Sequence, residues 1–552
     1  MNKLPTEVLS QIFVFLHQQD KVECMTVCRK WANAIESCSL FQTIRIDSDE
    51  QLNRLMAKVQ QEPKQGLRVE RLILNLNLHN VDMNGLPLLF PNVRVFIYYE
   101  ISFDLSLTKR QPYFPWHKTI QHMSEYPNTI HAQQTLSSGI CPRLTRIAVF
   151  EGKPFTKPTY LGKDFIGLLK NAPVLKVLSL GGFDLALTDF ELLHKNVPLL
   201  NSLTIRRSII NCDFFPSDIS PATAVTTFSI TPHGQLLDDE IRLLQYLGKK
   251  YTHLSKLFYD VRVLDRNEYN ELRVYADGLT PFMESLAQKL KTFEIDMSGK
   301  SGNLFRVLDN AGCQIRDLTL HGTIKQPVLE QLAQSNQAKH IRKLTIGRMD
   351  CDHGDLQWLE GFTGLEELNI TNVNWANKAE RSIIDLNHLL AILGDTLTTL
   401  ILHDFELAFQ LATNRQYKVK HLVLYNIILS QQTDEFISQS FPDLRTIKFI
   451  RCGFIKRNFL LPNINLFHIQ IMQKFPLGNN KILVSTLKRE EQRWYTARHS
   501  NVVHYSEDDF SSTDASVFPA FVSLPFDQFK GQPYMSFTCN SIRDFSVVNT
   551  FY

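Results

Sequence analysis

Apolar residues at the start of the chain recur at helical spacing. Placed at about 100° per residue, the first set falls within an arc of about 140° and predicts a helix with one buried face: Val8, Leu9, Ile12, Phe13 and Leu16. The polar stretch "HQQD" follows, and Asp20 is placed to cap a second helical stretch. That stretch has a stripe of its own: Cys24, Val27, Cys28, Trp31 and Ile35.

These short helices cannot enclose a sufficient core by themselves, because so small a segment buries too little surface to offset chain entropy. The charges of residues 1–40 cancel. We therefore expect this segment to meet another surface mainly through apolar contacts.

The same residues resemble the F-box pattern at its usual spacings, from the opening "LP.E" to the closing "VCRKW". Lys21 departs from the pattern, which favours an apolar residue there. The resemblance implies an F-box domain over residues 1–42 that docks the Skp-type adaptor of a cullin-RING (SCF) ubiquitin ligase. The adaptor-binding residues that it implies are Leu4, Pro5, Glu7, Val8, Leu9, Ile12, Phe13, Leu16, Val27, Cys28 and Trp31.

A different pattern, L-x-x-L-x-L, occupies most of the remaining chain. It occurs fifteen times, from "VERLIL" at Val69 to "INLFHI" at Ile464, with starts mostly 20 to 36 residues apart. Amphipathic stretches such as "DFELLHKNVP" lie between the copies and predict helices. A strand and a helix at this period predict a stacked solenoid over residues 43–472. It resembles the leucine-rich repeats of F-box proteins, which implies a horseshoe.

Three long spacings between copies predict insertions near residues 100–140, 261–286 and 372–392. The first contains aromatic residues on a Pro-rich loop, including Trp116, which either bind a partner or pack back onto the body. After residue 472 short β-like runs predict a β-rich cap over residues 473–552, since a solenoid must cover its last repeat. The acidic segment 506–514 within it is expected to be a solvated loop.

Strand side chains alternate between faces, so the residues between the apolar anchors are expected on the concave surface of the solenoid. This row is chemically mixed, and fifteen strands about 4.8 Å apart make it about 70 Å long, enough for a folded protein or a long peptide. The row lacks the uniform basic character of phosphate tracking. The possible target-binding residues are Arg206, Asp260, Asp296, His321, Glu367, His403 and Tyr425.

Composition narrows the class of protein. The 552 residues are 44% hydrophobic and 21% charged, with a net charge of +3, so no global field attracts nucleic acid or a membrane surface. There is no signal-peptide pattern and no apolar run long enough to span a bilayer. Nine cysteines without regular spacing indicate reduced thiols, and we expect a cytoplasmic or nuclear location.

Three motifs could carry chemistry, but each has a simpler interpretation. Gly299, Lys300 and Ser301 lack the first glycine of a phosphate-binding loop. The cluster "MDCDHGDL" lacks the glycine and glutamate of a calcium loop. Cys24, Cys28 and Cys38 lack paired zinc spacing. We expect no catalytic site, no metal and no cofactor.

The sequence therefore predicts an α/β protein: a small helical F-box, then an irregular leucine-rich repeat solenoid with a β-rich cap. By resemblance it is a non-catalytic substrate receptor of an SCF-type ligase that holds an unidentified protein target. Two alternatives stay open: an adaptor-bound scaffold without ubiquitylation, and a leucine-rich repeat regulator of a small GTPase.

Overall fold

The computed structural model describes residues 4–14, 18–38, 42–76, 85–100, 115–126, 130–150, 160–231, 237–260, 274–297, 303–350, 356–372, 383–411, 415–430, 432–454, 458–473, 481–488, 491–496, 503–506 and 534–549. The chain divides into two compact units, Met1–Lys289 and Leu290–Tyr552.

The first unit begins with three short helices: α1 (Thr6–Val14), α2 (Gln18–Met25) and α3 (Arg29–Cys38). The second predicted helical stretch is thus two helices. Val27 N–H donates to the Cys24 carbonyl at 3.2 Å in a turn, and Ala32 N–H donates to the Cys28 carbonyl at 3.0 Å as α3 begins. Asp20 lies inside α2, so its predicted capping role is wrong.

The sheet of the first unit is parallel, with nine of its strands in the described residues. In spatial order they are β1 (Thr43–Ile46), β2 (Arg71–Leu76), β3 (Val95–Glu100), β4 (His122–Tyr126), β5 (Arg146–Phe150), β7 (Val177–Gly181), β9 (Ser202–Arg206), β11 (Thr227–Thr231) and β12 (Lys256–Tyr259). A second parallel sheet contains β6 (Tyr160–Leu161), β8 (Phe183–Ala186) and β10 (Ile209–Asn211).

Helices connect these strands, as a parallel sheet requires. They are α4 (Asp49–Gln61), α5 (Pro63–Gly66), α6 (Leu86–Leu89), α7 (Ile130–Ser137), α8 (Gly162–Leu168), α9 (Leu187–Asn196), α10 (Leu237–Lys250) and α11 (Thr280–Leu286). Two 3₁₀ turns, Pro115–Lys118 and Leu169–Asn171, and a π-helical turn, Tyr275–Leu279, complete the connections. The Ser48 hydroxyl accepts the Gln51 N–H at 3.3 Å and starts α4.

The second unit repeats this plan. Its parallel strands, in spatial order, are β13 (Thr292–Asp296), β14 (Asp317–Lys325), β15 (Lys343–Asp350), β16 (Glu367–Asn372), β18 (Thr399–His403), β20 (His421–Tyr425), β22 (Thr446–Ile450) and β24 (Asn458–Gln473). A smaller parallel sheet contains β17 (Ile383–Asp385), β19 (Glu406–Ala408), β21 (Ile428–Leu429) and β23 (Gly453–Phe454). The helices are α12 (Asn303–Asn310), α13 (Gln326–Gln334), α14 (Gln337–His340), α15 (Leu386–Leu393) and α16 (Thr433–Ser440), with a 3₁₀ turn at Gln357–Gly361.

The C-terminal residues add strands beside the last repeat. The long strand β28 (Tyr534–Asn549) pairs in parallel with β24, and β25 (Lys481–Thr486), β26 (Glu491–Thr496) and β27 (Val503–Ser506) complete this end of the sheet. Phe537 is buried and packs on Phe449, with ring centroids 6.1 Å apart. A cap over residues 473–552 stays a prediction.

Each of the fifteen pattern copies coincides with a strand of the larger parallel sheet of its unit, and the anchors of the copies are buried in that unit. In "LKVLSL", Leu175, Leu178 and Leu180 are fully buried. The last copy is displaced: Ile447 pairs with Ile469, so the repeat anchors there lie two residues later than the copy at Ile464 predicts. A mixed helix and strand fold with a large parallel sheet is therefore present, consistent with leucine-rich repeats.

The range near 100–140, predicted to be an insertion, contains a further strand of the sheet, β4. The pattern missed it because the third anchor is Glu125, which is completely buried in register with Tyr98 and Val149. Its carboxylate accepts the backbone N–H groups of His131 at 3.0 Å and Ala132 at 2.9 Å, at the start of α7. The N–H groups at the start of α7 therefore stabilise a buried carboxylate at a position that is normally apolar.

A residue with left-handed backbone conformation follows the strand in several repeats, or lies within the long strand β14, and redirects the chain. Its φ is between 50° and 79° in six repeats: Gly182, Arg207, Gly322, Asp404, Asn426 and Arg451. In four of these repeats, the backbone N–H of this residue donates a hydrogen bond to a carbonyl of the following repeat. For example, Asn426 N–H donates to the Ile450 carbonyl at 2.7 Å. Gly, Asn and Asp tolerate this conformation best, which explains their presence here.

Several sequence predictions fall outside the described residues: the motif at 299–301, the segment 351–355, and 507–514 of the acidic stretch. In the described parts of the two other predicted insertions, α11, α15 and β17 form regular elements. None of the helices in the portion of the chain that the structure describes has the length and apolarity that a membrane crossing needs.

Candidate protein-binding surfaces

The three amino-terminal helices share a small core. Leu9 and Phe13 of α1 are 1% and 2% exposed and pack with Ala34 and Ile35 of α3. The ring of Trp31 meets that of Phe13 edge to face, with centroids 5.3 Å apart. Leu9 and Phe13, four residues apart, therefore point into the domain and support its surface from inside.

Another set of aliphatic residues points away from this core. Val8 is 38% exposed and Ile12 is 42% exposed, one helical turn apart on the same face of α1. Val22 on α2 is 51% exposed, and Val27 in the turn before α3 is 62% exposed. Four exposed aliphatic side chains therefore lie within twenty residues of this domain, and we call this set the valine-isoleucine surface.

The other residues that the resemblance implied lie around this domain. Leu4, Cys28 and Trp31 are half-buried and Pro5 is exposed, while Glu7 belongs to α1 and Leu16 lies outside the described residues. Lys30 Nζ donates to the Leu4 carbonyl at 2.7 Å and ties the start of the chain to α3. Val22 also matches the F-box pattern in the sequence; it was not among the predicted adaptor contacts, and it is exposed.

Lys21 occupies a buried position. Only 7% of it is exposed, and burial lowers the pKa of its ammonium group. The F-box pattern favours an apolar residue here, and the burial of Lys21 explains that preference.

The helical domain leads directly into the sheet. An Arg68 guanidinium N–H donates to the Glu36 carbonyl of α3, and the Gln42 carbonyl accepts the backbone N–H groups of Glu70 and Arg71 at 3.0 and 2.9 Å. Strand β1 begins at Thr43, next to the predicted domain boundary. These bonds anchor the helices to the first strands of their unit.

The exposed face of the sheet is the second candidate surface. In the first unit Arg206 is exposed at the end of β9, and Asp260 is half-buried just after β12. In the second unit, however, Asp296 is only 7% exposed. Strand alternation predicted it to be accessible, but it ends β13 beside His321 of β14 and offers little surface to a partner.

The other four predicted residues of the second unit are half-buried, and each contacts a neighbour on the same face. His321 Nε2 lies 3.7 Å from Glu294, and Lys343 Nζ lies 3.0 Å from Glu367. His403 stacks on Tyr425 with centroids 4.9 Å apart, and burial lowers the pKa of His403. The face is therefore mixed in charge, with one aromatic pair.

Metal ligation has little support in the described residues. They contain no group of three or more His, Cys, Asp or Glu placed to hold a metal ion. Cys24 and Cys28 are half-buried. Burial raises the pKa of Cys141 to about 11 and of Cys212 to about 12, which keeps both thiols protonated.

Comparison with known proteins identifies the helical domain. Residues 1–47 match the family described as F-box-like, which supports an F-box protein. The comparison with curated proteins found no match. Among solved structures, the chain is similar to one described as "Crystal structure of TLR13-ssRNA13 complex", with 11% identity, coverage of 77% of this chain and 70% of that chain, and a TM-score of 0.32. At so low a TM-score the likeness carries no argument, and the repeat architecture rests on the strands themselves.

Proposed function

We propose that this chain is a non-catalytic substrate receptor of an SCF-type ubiquitin ligase. The F-box-like domain would bind a Skp-type adaptor, and through it a cullin-RING ligase, while the exposed sheet face would hold a protein target. The observation that carries the proposal is the match of residues 1–47 to the F-box-like family, together with the valine-isoleucine surface on that domain.

Within this proposal, side-chain exposure favours some of the F-box residues as direct adaptor contacts. Val8, Ile12, Val22 and Val27 are accessible, and burying such side chains contributes about 1.5 to 3 kcal/mol each. Leu9 and Phe13 would act indirectly, because they hold α1 against α3. Adaptor binding thus depends on both sets, for different physical reasons.

The mechanism in this proposal is proximity. A target held on the sheet face would have its lysines near a ubiquitin-conjugating enzyme that the other subunits bring, so effective concentration replaces chemistry by this chain. The mixed face of each unit suits a protein partner: Arg206 is exposed in the first unit, and the His403–Tyr425 pair lies in the second. Aromatic and Arg side chains are frequent at the centres of protein interfaces.

A purification from cells tests the ligase proposal. Full-length chain should retain both adaptor and cullin, and a variant lacking residues 1–42 should lose both while one or more bound proteins accumulate. Adaptor without cullin, and no protein stabilised, would favour the scaffold alternative. Binding to a small GTPase with no adaptor at all would favour the GTPase regulator.

A further inference from the structure

A basic pocket lies at one end of three neighbouring strands in the second unit. It is lined by Lys291, Arg316, His340, Arg342, Lys343 and Asp317. Four permanently cationic side chains therefore face one carboxylate. This pocket lies where β13, β14 and β15 begin, beside the residues predicted to bind a target.

Repeat register places the cations in a row. Arg316 N–H donates to the Lys291 carbonyl at 2.8 Å, and Arg342 N–H donates to the Arg316 carbonyl at 2.8 Å. The three residues occupy the same position in consecutive repeats, about 4.8 Å apart. Like charges at this spacing repel one another unless an anion lies between them.

Carboxylates of the protein satisfy only part of this charge. Lys343 pairs with Glu367 at 3.0 Å, Arg342 lies 4.0 Å from Glu366, and Asp317 accepts a hydrogen bond from Thr292 at 3.3 Å. Among the described residues, Lys291 and Arg316 form no ion pair, and both are exposed. Two cations therefore remain available to a ligand.

The pocket is built on fixed elements. Arg342 Nη1 donates to the Gly364 carbonyl at 2.7 Å, and the guanidinium lies so close that a Cβ at residue 364 would overlap it. Below it, the buried Gln337 amide donates to Asp309 at 2.8 Å and to the Cys313 carbonyl at 2.9 Å, and accepts Ile315 N–H at 3.1 Å. These contacts fix the segment before β14 against α14, so less entropy is lost on binding.

We propose that this pocket binds the phosphate group of a phosphorylated protein side chain. A phosphate monoester carries a charge of about −1.5 to −2 and three acceptor oxygens, and guanidinium groups bind such oxygens in bidentate fashion. The phosphate site does not depend on adaptor binding. Its use in selecting phosphorylated targets rests on the function proposed above.

Neighbouring charges favour one phosphate over a nucleic acid strand. Glu366 and Glu367 occupy the same two repeat positions on the next strand, so the positive row ends after three strands. A polynucleotide would bring its successive phosphates against these carboxylates. A single dianion bound by Arg316 and Arg342 would bring no further phosphate toward these carboxylates.

Calorimetry on the full-length chain tests the proposal with a short phosphoserine peptide as probe. The phosphopeptide should bind, whereas its unphosphorylated form should not. An Arg316→Gln, Arg342→Gln double variant should bind at least about tenfold more weakly, the effect of losing one charge-assisted hydrogen bond. Arg445→Gln is the matched control, because Arg445 is exposed at the same repeat position outside the pocket, and it should bind normally.

Four results would overturn the proposal: no binding by the wild-type chain, full affinity in the double variant, equal affinity for a glutamate version of the peptide, or tighter binding of a short single-stranded RNA at the same arginines. Adaptor affinity measured on the double variant keeps the two proposals apart. It should be unchanged, because no arginine of the pocket lies in residues 1–47.

Discussion

The carboxylate of Glu125 accepts the backbone N–H of Ala132 at 2.9 Å, inside the core and at the start of helix α7. Glu125 stands where its neighbours in register, Tyr98 and Val149, are apolar or aromatic anchors. One charged side chain thus replaces an anchor and also satisfies two donors of a helix end, since His131 N–H donates to it as well.

Replacing Glu125 by Leu should therefore destabilise the first unit, although leucine fits the repeat pattern better. Two buried N–H groups would lose their acceptor, at a cost of about 2 kcal/mol after the gain from burying leucine. Hydrogen exchange at residues 130–137 measures this locally. The neighbouring substitution Val149→Leu is the control and should cost less; equal protection in wild type and Glu125→Leu would contradict the capping role.

A partly buried ion pair joins helices α9 and α10. Lys250, 1% exposed, places Nζ 2.5 Å from Glu191, whose other oxygen accepts the Tyr246 hydroxyl at 2.6 Å. Lys250→Met should cost about 2 kcal/mol, because it leaves the half-buried Glu191 carboxylate without its cation.

The Lys250→Met, Glu191→Gln pair tests this by a double-mutant cycle in urea. Glutamine keeps an acceptor for Tyr246 and removes the charge, so the double variant should be more stable than the sum of the single changes predicts. Additive losses would show that the two side chains are not coupled.

Acid should weaken the first unit through its buried histidines. Burial, with a contribution from Lys250, lowers the pKa of His194 to about 3 from the usual 6.5, and burial lowers that of His131 to about 3. The unfolded chain binds these protons below about pH 6.5 and the folded chain does not, so the free energy of unfolding falls as the pH decreases from about 6.5 toward 3. Each histidine contributes up to about 1.4 kcal/mol per pH unit.

His194→Gln should reduce the slope of the free energy of unfolding against pH by the contribution of about one histidine. Urea unfolding between pH 7 and pH 5 measures this slope. The exposed His253 provides the control, because the same His-to-Gln change there removes no buried imidazole. An unchanged slope in His194→Gln would mean that the imidazole is protonated in the folded chain.

Substitutions of two neighbouring residues of α1, Ile12 and Phe13, should differ in their effect on the stability of the domain. Phe13→Ala should cost about 3 to 5 kcal/mol of stability, because Phe13 is 2% exposed and its ring packs on Trp31. Ile12→Ala should change stability by less than about 0.5 kcal/mol, because Ile12 is 42% exposed. Hydrogen exchange across residues 6–14 and 29–38 in the full chain distinguishes them; equal loss of protection would contradict the assigned orientation of α1.

Much of the fold could be predicted from apolar spacing, because strand anchors and helix faces bury aliphatic residues at fixed periods. The apolar pattern did not predict strand β4, because its third anchor position holds Glu125. The carboxylate of Glu125 accepts hydrogen bonds from a helix end, and no local pattern reveals such a contact. The turn at Thr26 and Val27, which separates α2 from α3, was not predicted, because the apolar residues keep their helical spacing across it. Trp116 was a candidate for binding on an aromatic loop, yet it is buried and its Nε1 donates to the Phe90 carbonyl at 2.8 Å.

The candidate sites could also be predicted only in part, because a local pattern does not show which residues pack together. Periodicity identified α1 as amphipathic, but the F-box resemblance named Leu9 and Ile12 together, and only packing separates the buried residue from the exposed one. Strand alternation placed Asp296 on an accessible face without information on the following turn. The basic pocket was not predicted, because its cations are 25 or 26 residues apart in sequence. They become neighbours because they occupy the same position in consecutive repeats.

Affinity for a purified Skp-type adaptor tests the central claim most directly. The full-length chain should bind it, and Val27→Asp should weaken binding by at least about thirtyfold, as expected for about 2 kcal/mol lost at an interface hot spot. Ile140→Asp is the matched control, since Ile140 is 64% exposed against 62% for Val27 but lies outside the F-box-like domain, and it should bind like wild type. Absence of adaptor binding in the wild-type chain, or full affinity in Val27→Asp, would contradict the account.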